Sequence, residues 1–192
     1  MSAKVKICGI KSLEDALLSY RLGADMLGMI FAESPRKVSI STAADIALRL
    51  SGKVVLVGVF SDPEDPHISE VCERAKLDML QIYFPDKVNG SSGYPLPVLR
   101  SYLINENTDI SEIERAGSLL DFKKAPRLLG LCASENIDMS ETILAGGLNC
   151  GNVGRILKTL NPLGVDVARG VESEPGRKDK DKLEQFIRKV KS

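Results

Sequence analysis

Eight short apolar runs, separated along most of the chain by segments of helical period, constrain this 192-residue sequence more than any other feature. KVKIC (4–8), MLGMIF (26–31), VVLVGVF (54–60) and MLQIYF (79–84) read as the first four strands. VVLVGVF has no polar alternation, as in strands that a parallel sheet buries on both faces. LRSYLI (99–104), SLLDF (118–122), TILAGGL (142–148) and GVDVARG (164–170) complete the set. Between them, Ser12 opens a helix with Asp15 three residues on, in a capping-box pattern, and with Leu13, Ala16, Leu17 and Tyr20 as its stripe. Gly23 ends that helix. A second helix turns Ala43, Ile46, Ala47 and Leu50 inward. A third is expected to start at Asp65 as N-cap with Pro66 first inside, burying Ile68, Val71, Cys72 and Ala75. Val153, Ile156, Leu157 and Leu160 mark a later helix, and Leu183, Phe186, Ile187 and Val190 the last. Such alternation gives a parallel α/β fold, an eight-fold barrel or a doubly wound sheet.

Eight units leave 24 residues each, below the roughly 30 typical of a closed barrel, so a barrel here needs trimmed loops. FPDKVNGSSGYPLP (84–97) is too rich in Pro, Gly and Ser for an ordinary helix, which makes the fourth crossover short or irregular. A short helix is expected near Asp109, and 123–141 carries no clear pattern, so the sixth crossover is irregular as well. No repeat, low-complexity run or domain boundary interrupts 1–192, and one domain is expected.

Composition narrows the function classes. The 26 basic and 26 acidic residues cancel, leaving no global field for nucleic acid or an anionic membrane. No apolar run approaches the ~20 residues that span a bilayer, and the opening MSAKVKICGIKSLEDA does not read as a secretory signal. Cys8, Cys72, Cys132 and Cys150 are scattered and His67 is the sole histidine, so neither zinc nor a disulfide framework is expected. A reducing cytosol is the default compartment.

In a barrel, chemistry belongs at the carboxyl ends of the strands. Those ends carry Cys8-Gly9, Arg36, Ser61-Asp62, Gln81, Asp121, Gly146-Gly147 and Asp166 to Gly170, a set suited to a small anion and acid–base work. Period two puts Lys4 and Lys6 on the face of Cys8, where a lysine one position below favours thiolate and makes Cys8 a base or nucleophile. Cys72, on a helix face, is a small buried hydrophobe. Asp121 closes a buried strand and must be capped, hydrogen-bonded or functional. Arg36 is a fork for a carboxylate or a solvated loop charge. Gly146-Gly147 is a bare tight turn or, with Arg169-Gly170 beside it, a phosphate cup backed by a helix N-terminus. His67 reads as a surface residue in the first turn of its helix.

K-I-C-G-I (6–10), L-E-D-A (13–16), G-A-D (23–25), F-x-x-S-P-R-x-V-S (31–39), V-G-V-F (57–60) and L-L-D (119–121) run in order along the chain. L-A-G-G-L-N-x-x-N-V (144–153), G-V-D-V-x-x-G-V-E (164–172) and P-G-x-K-D (175–179) follow. Over nearly its whole length the chain resembles the phosphoribosylanthranilate isomerase family. The resemblance implies a single TIM (β/α)8 barrel acting in tryptophan biosynthesis, with no metal or cofactor. The expected reaction is the Amadori rearrangement of a phosphorylated aminosugar, with Cys8 as general base and Asp121 as general acid. It further implies that Arg36 pairs with the anthranilate carboxylate, that Gly146, Gly147 and the turn around Gly170 hold phosphate, and that Asp166 supports that turn.

Three departures from the family pattern carry expectations of their own. FKKAPRLLGLCASENI (122–137) replaces the usual glycine-rich loop and F-D-W, so closure over the substrate is altered. Gln81-Ile82-Tyr83 stands for L-H-G, so the fourth strand is expected to contribute less to the site. Ala168-Arg169 replaces a serine pair, trading a hydroxyl donor for a guanidinium suited to phosphate. Two other readings compete. The Amadori isomerase of histidine biosynthesis uses two aspartates, against which Cys8 argues, and the altered loop alone favours a barrel that binds a phosphosugar without turning it over. Monomer and homodimer stay open.

Overall fold

The computed structural model of the protein describes residues 2–84, 93–105, 108, 113, 117–122, 130 and 139–192. Eight parallel strands close on themselves in sequence order: β1 (Lys4–Cys8), β2 (Met26–Ile30), β3 (Val55–Phe60), β4 (Met79–Tyr83), β5 (Val98–Ile104), β6 (Ser118–Phe122), β7 (Ile143–Ala145) and β8 (Gly164–Val167). β1 pairs with β2 on one side and with β8 on the other, Lys4 opposite Gly164 through Ile7 opposite Val167, and this last pairing seals the barrel. Around it lie α1 (Leu13–Arg21), α2 (Ile40–Leu50), α3 (Ile68–Arg74), α4 (Val153–Leu160) and α5 (Lys180–Lys191). The fold is a TIM barrel, as expected.

Two cores follow from the period-two strands. Outward residues such as Val5, Ile7, Leu27, Leu56, Leu80 and Val165 pack beneath the helices. The expected stripes of α2 (Ala43, Ile46, Ala47, Leu50) and α5 (Leu183, Phe186, Ile187, Val190) cover them, all buried. Inside the barrel, Leu99, Leu119, Ile143 and Ala145 pack with Met26 and Met79. G-A-D has a role in this frame: Asp25 accepts the Val5 amide at 2.7 Å, and Asp78 accepts that of Leu56 at 2.8 Å. Each aspartate precedes the neighbouring strand and caps an amide near the amino-terminal rim, where the ladder leaves donors open.

Several local expectations shift. Ser12 accepts the Asp15 amide at 3.1 Å, but the Asp15 carboxylate does not return to Ser12; it accepts the Lys178 amide at 3.2 Å. The third helix starts at Ile68, because Asp65 spends its side chain on an Asx turn to the His67 amide. Positive φ at Gly146 and Gly147 stops β7 at Ala145 instead of 148. β8 stops at Val167 and passes into a 3₁₀ turn (Arg169–Val171) and a hairpin, β9 (Glu172–Glu174) with β10 (Arg177–Lys178), which the apolar pattern did not reveal. Lys4 is exposed, leaving Lys6 alone as the buried lysine of β1. Among the described residues no helix lies between β4 and β5; residues 85–92, the helix expected near Asp109, and most of 123–141 fall outside them. No helix among the described residues is long and apolar enough to cross a membrane.

The stripe of α5 gives a direct test. Phe186 is fully buried, so Phe186→Ala should cost about 3–5 kcal/mol in urea denaturation. Leu48, 82% exposed on α2, should accept lysine within about 0.5 kcal/mol.

Candidate active site

Pleating turns Lys6 and Cys8 of β1, Asp121 of β6 and Asp166 of β8 into the lumen, the last two from strands far along the chain. Lys6, 1% exposed, donates to Asp166 Oδ1 at 2.8 Å across the seam where the barrel closes. Burial opposes the lysine charge, but Asp166 and Cys8 together outweigh it and raise the Lys6 pKa above its ordinary value. Asp166 is thus engaged one layer beneath the strand ends; the expected support of the Gly170 turn is not among its contacts.

Cys8 sits directly above this pair. A Cβ on Gly28 of β2 would lie 2.8 Å from both Cys8 Sγ and Lys6 Nζ, so only glycine leaves room for the two to stand together. The thiol is shifted opposite to expectation. Burial pushes it up, Lys6 pulls it down, Asp166 pushes it up again, and the balance stays above the ordinary cysteine value. Lys6 does favour thiolate, but Asp166 takes back part of its effect and desolvation exceeds the remainder.

Asp121 also titrates high. Burial leads, the Asp166 charge adds to it, and Tyr83, Arg169 and Lys6 offset only part. Tyr83 Oη donates to Asp121 Oδ2 at 3.0 Å. Burial, with Asp121 second, raises the phenol far above its usual range, so Tyr83 stays a donor. The expectation that the fourth strand contributes less is therefore overturned. Tyr83, not Gln81, forms its lumenal end; Gln81 is buried a layer lower, with Oε1 unpartnered among the described residues. Leu103, in register with Asp121, is left 52% exposed and gives this side an apolar wall.

Arg36 is not a solvated loop charge. Its chain lies across the turn after Cys8, where a Cβ on Gly9 (φ +75°) would come within 2.7 Å of Arg36 Cδ. Nε donates to both Glu172 oxygens at 2.9 and 3.2 Å, and Nη2 to Oε2 at 2.7 Å. Neither Glu172 nor its second cation, Lys178, stands out as a candidate from sequence; both lie in motifs, G-V-E and P-G-x-K-D, whose partners are far apart in the chain.

The glycine turns adjoin one another. A Cβ on Gly146 (φ +102°) would overlap the Phe122 carbonyl oxygen at 1.6 Å, and one on Gly170 the Leu148 carbonyl oxygen at 1.9 Å. The β7 turn is thereby clamped between the residue after Asp121 and the β8 turn. Asn152 Nδ2 donates to the Gly147 carbonyl at 3.0 Å and fixes its shape ahead of α4. Arg169 stands exposed at the rim and lends positive potential towards Asp121.

The Tyr83 contact makes a prediction. Its hydrogen bond favours the Asp121 carboxylate, so Tyr83→Phe should raise the Asp121 pKa further, read from the carboxyl ¹³C shift against pH. An unchanged or lowered value would contradict the contact.

Comparison with known proteins agrees with this geometry. A family model described as N-(5'-phosphoribosyl)anthranilate (PRA) isomerase matches residues 5–189. The N-(5'-phosphoribosyl)anthranilate isomerase of Geobacter metallireducens is 35% identical over 98% of this chain and 99% of its own, and that of Nitratiruptor sp. is 38% identical over 98% of each. The crystal structure of phosphoribosyl anthranilate isomerase from Thermotoga maritima superposes with a TM-score of 0.83 at 29% identity, covering 98% of both chains. A structure of such an isomerase in complex with reduced 1-(o-carboxyphenylamino)-1-deoxyribulose 5-phosphate gives 0.79 at 30% identity, again over 98% of both. With a family model matched over residues 5–189 and relatives above 30% identical along nearly the whole chain, the protein belongs to the N-(5'-phosphoribosyl)anthranilate isomerase family.

Proposed function

We propose that the chain catalyses the isomerase reaction of its family with Cys8 as general base and Asp121 as general acid. The activity is the Amadori rearrangement of phosphoribosylanthranilate in tryptophan biosynthesis, an aldose–ketose isomerisation. The observation that carries the residue roles is the pairing at the mouth. Asp121 titrates high and has one oxygen taken by Tyr83, while the lumenal thiol of Cys8 stands over a buried ammonium.

The chemistry follows from those positions. Asp121 gives its proton to the furanose ring oxygen as the C1–O bond breaks, leaving a Schiff base between C1 and the anthranilate nitrogen. Cys8, as thiolate, removes the proton from the adjacent sugar carbon, and the electron pair flows towards nitrogen to give an enolamine. Protonation at C1 and loss of the enol proton then yield the ketose. Desolvation raises the Asp121 pKa and so favours the protonated acid that the first step needs. The raised thiol delays formation of thiolate but gives a stronger base once formed, and Lys6 lessens the cost of the charge.

Binding is assigned to the rim. Arg36 takes the anthranilate carboxylate, and Gly146, Gly147, Arg169 and Gly170 hold the phosphate, supported by the abutting glycine turns. Asp166 acts through Lys6. No step needs a cofactor, the ligand is a small phosphorylated aminosugar, and the compartment is the cytosol. We take residues 1–192 as one isomerase domain. The relative from Thermotoga maritima is dimeric, and monomers have been generated from it; on the present reading the acid, base and anion sites lie within one chain.

Cys8→Ala and Asp121→Asn should each lower kcat by at least about 10²–10³-fold, the usual scale for removing a general acid or base. Both should still bind the reduced product analogue; near-normal turnover in either would sink its role. The working form carries a single proton, on Asp121. Acid adds a proton to Cys8 and alkali removes that of Asp121, so kcat/KM should be bell-shaped in pH. Its limbs belong to the pair and not to either residue. A profile with one limb would remove one partner from the mechanism.

A further inference from the structure

The reaction as assigned uses neither Glu172 nor Lys178, yet they are among the most buried charges of the described residues. Side-chain exposure is 15% for Arg36, 5% for Glu172 and 0% for Lys178, so a row of three charges runs from the rim inward. Lys178 Nζ donates to Glu172 Oε1 at 3.0 Å and to the Cys8 carbonyl at 2.6 Å. One carboxylate therefore lies between the guanidinium and a lysine bonded to the backbone of Cys8.

This arrangement leaves specific donors available. Glu172 occupies Nε and one side of Nη2, while Nη1 of Arg36 has no hydrogen bond among the described residues. The row holds two positive charges and one negative, and its excess charge surfaces only at Arg36. A buried row with one uncompensated cation at its exposed end is complementary to one further anion. The hairpin that carries it is anchored independently: the Lys178 amide by Asp15, the Glu172 carbonyl by Lys182 Nζ at 2.9 Å, and the Gly176 tip against Lys11. The side chain of Glu172 is thus not what holds the hairpin in place.

We infer that Glu172, held by Lys178, is a positioning residue that fixes the Arg36 fork over the Cys8–Gly9 turn and leaves Nη1 for the substrate's aromatic carboxylate. The inference rests on the assignment of Arg36 made above and extends it to the selectivity for a carboxylated aryl amine. A fork held in advance loses little side-chain freedom on binding, which separates it from an arginine free in solvent. Lys178, bonded at once to Glu172 and to Cys8, gives the base and the carboxylate anchor a common mount.

The test compares two ligands by calorimetry on the full chain: reduced 1-(o-carboxyphenylamino)-1-deoxyribulose 5-phosphate and its phenylamino counterpart without the carboxylate. The wild type should prefer the carboxylated ligand. Glu172→Gln should reduce that preference about tenfold, with the phenylamino ligand bound within about twofold of wild type. KM should rise more than kcat falls. If Glu172→Gln does not fold, Glu172→Asp, which keeps the charge but withdraws it by one methylene, must show the same carboxylate-selective loss. Equal weakening of both ligands, or a preference that survives in the variant, overturns the inference. No preference in the wild type overturns the assignment of Arg36 and the inference with it.

Discussion

The ion pair between Lys6 and Asp166 is the constraint from which the site is built. It spans the β1–β8 seam that closes the barrel, and its members are in register opposite each other. Two charges at that depth are expensive to desolvate, and a hydrophobic pair of similar volume would close a barrel as well or better. Their electrostatic reach accounts for the expense. Lys6 is the strongest positive charge acting on the Cys8 thiol, and Asp166 is the strongest charge raising Asp121. One pair, placed beneath both, acts on the thiol proposed as base, through opposing charges, and on the carboxyl proposed as acid.

Close packing brings these groups together, and it depends on missing Cβ atoms. Gly28 admits the ammonium and the thiol side by side, Gly9 lets Arg36 cross the Cys8–Gly9 turn, and Gly146 and Gly170 let three loop segments meet. At Gly9 and Gly146 the backbone also has positive φ, so a larger residue would be strained even where a neighbour can yield. The glycine turn after β7 and Asp121 are thereby joined through Phe122, the residue that follows Asp121.

Much of the fold was legible because its signals are local. Period-two strands and helix stripes such as Ala43, Ile46, Ala47 and Leu50 need only their own neighbours in sequence. Elements governed by a distant partner were not legible. Asp15 looked like half of a capping box until Lys178 claimed its carboxylate from 163 residues away. The lysine beside Cys8 was visible, but Asp166, which blunts it, lies 160 residues on, and neither burial nor that pairing shows in a strand pattern. Tyr83 counted as a loss to the site because it departs from the family motif. The phenol instead reaches Asp121 across the mouth, a contact between strands β4 and β6 that no spacing along the chain encodes.

The central claim is that the Cys8 thiolate removes the proton from the sugar carbon next to C1 after Asp121 has opened the ring. Single-turnover stopped flow, following the loss of anthranilate fluorescence with that carbon carrying ¹H or ²H, tests it most directly. The wild type should turn over both substrates, the deuterated one more slowly, and Cys8→Ala should turn over neither at a comparable rate. Isotope-sensitive turnover persisting in Cys8→Ala near the wild-type rate would show that another group takes the proton, and the account of the base would fall.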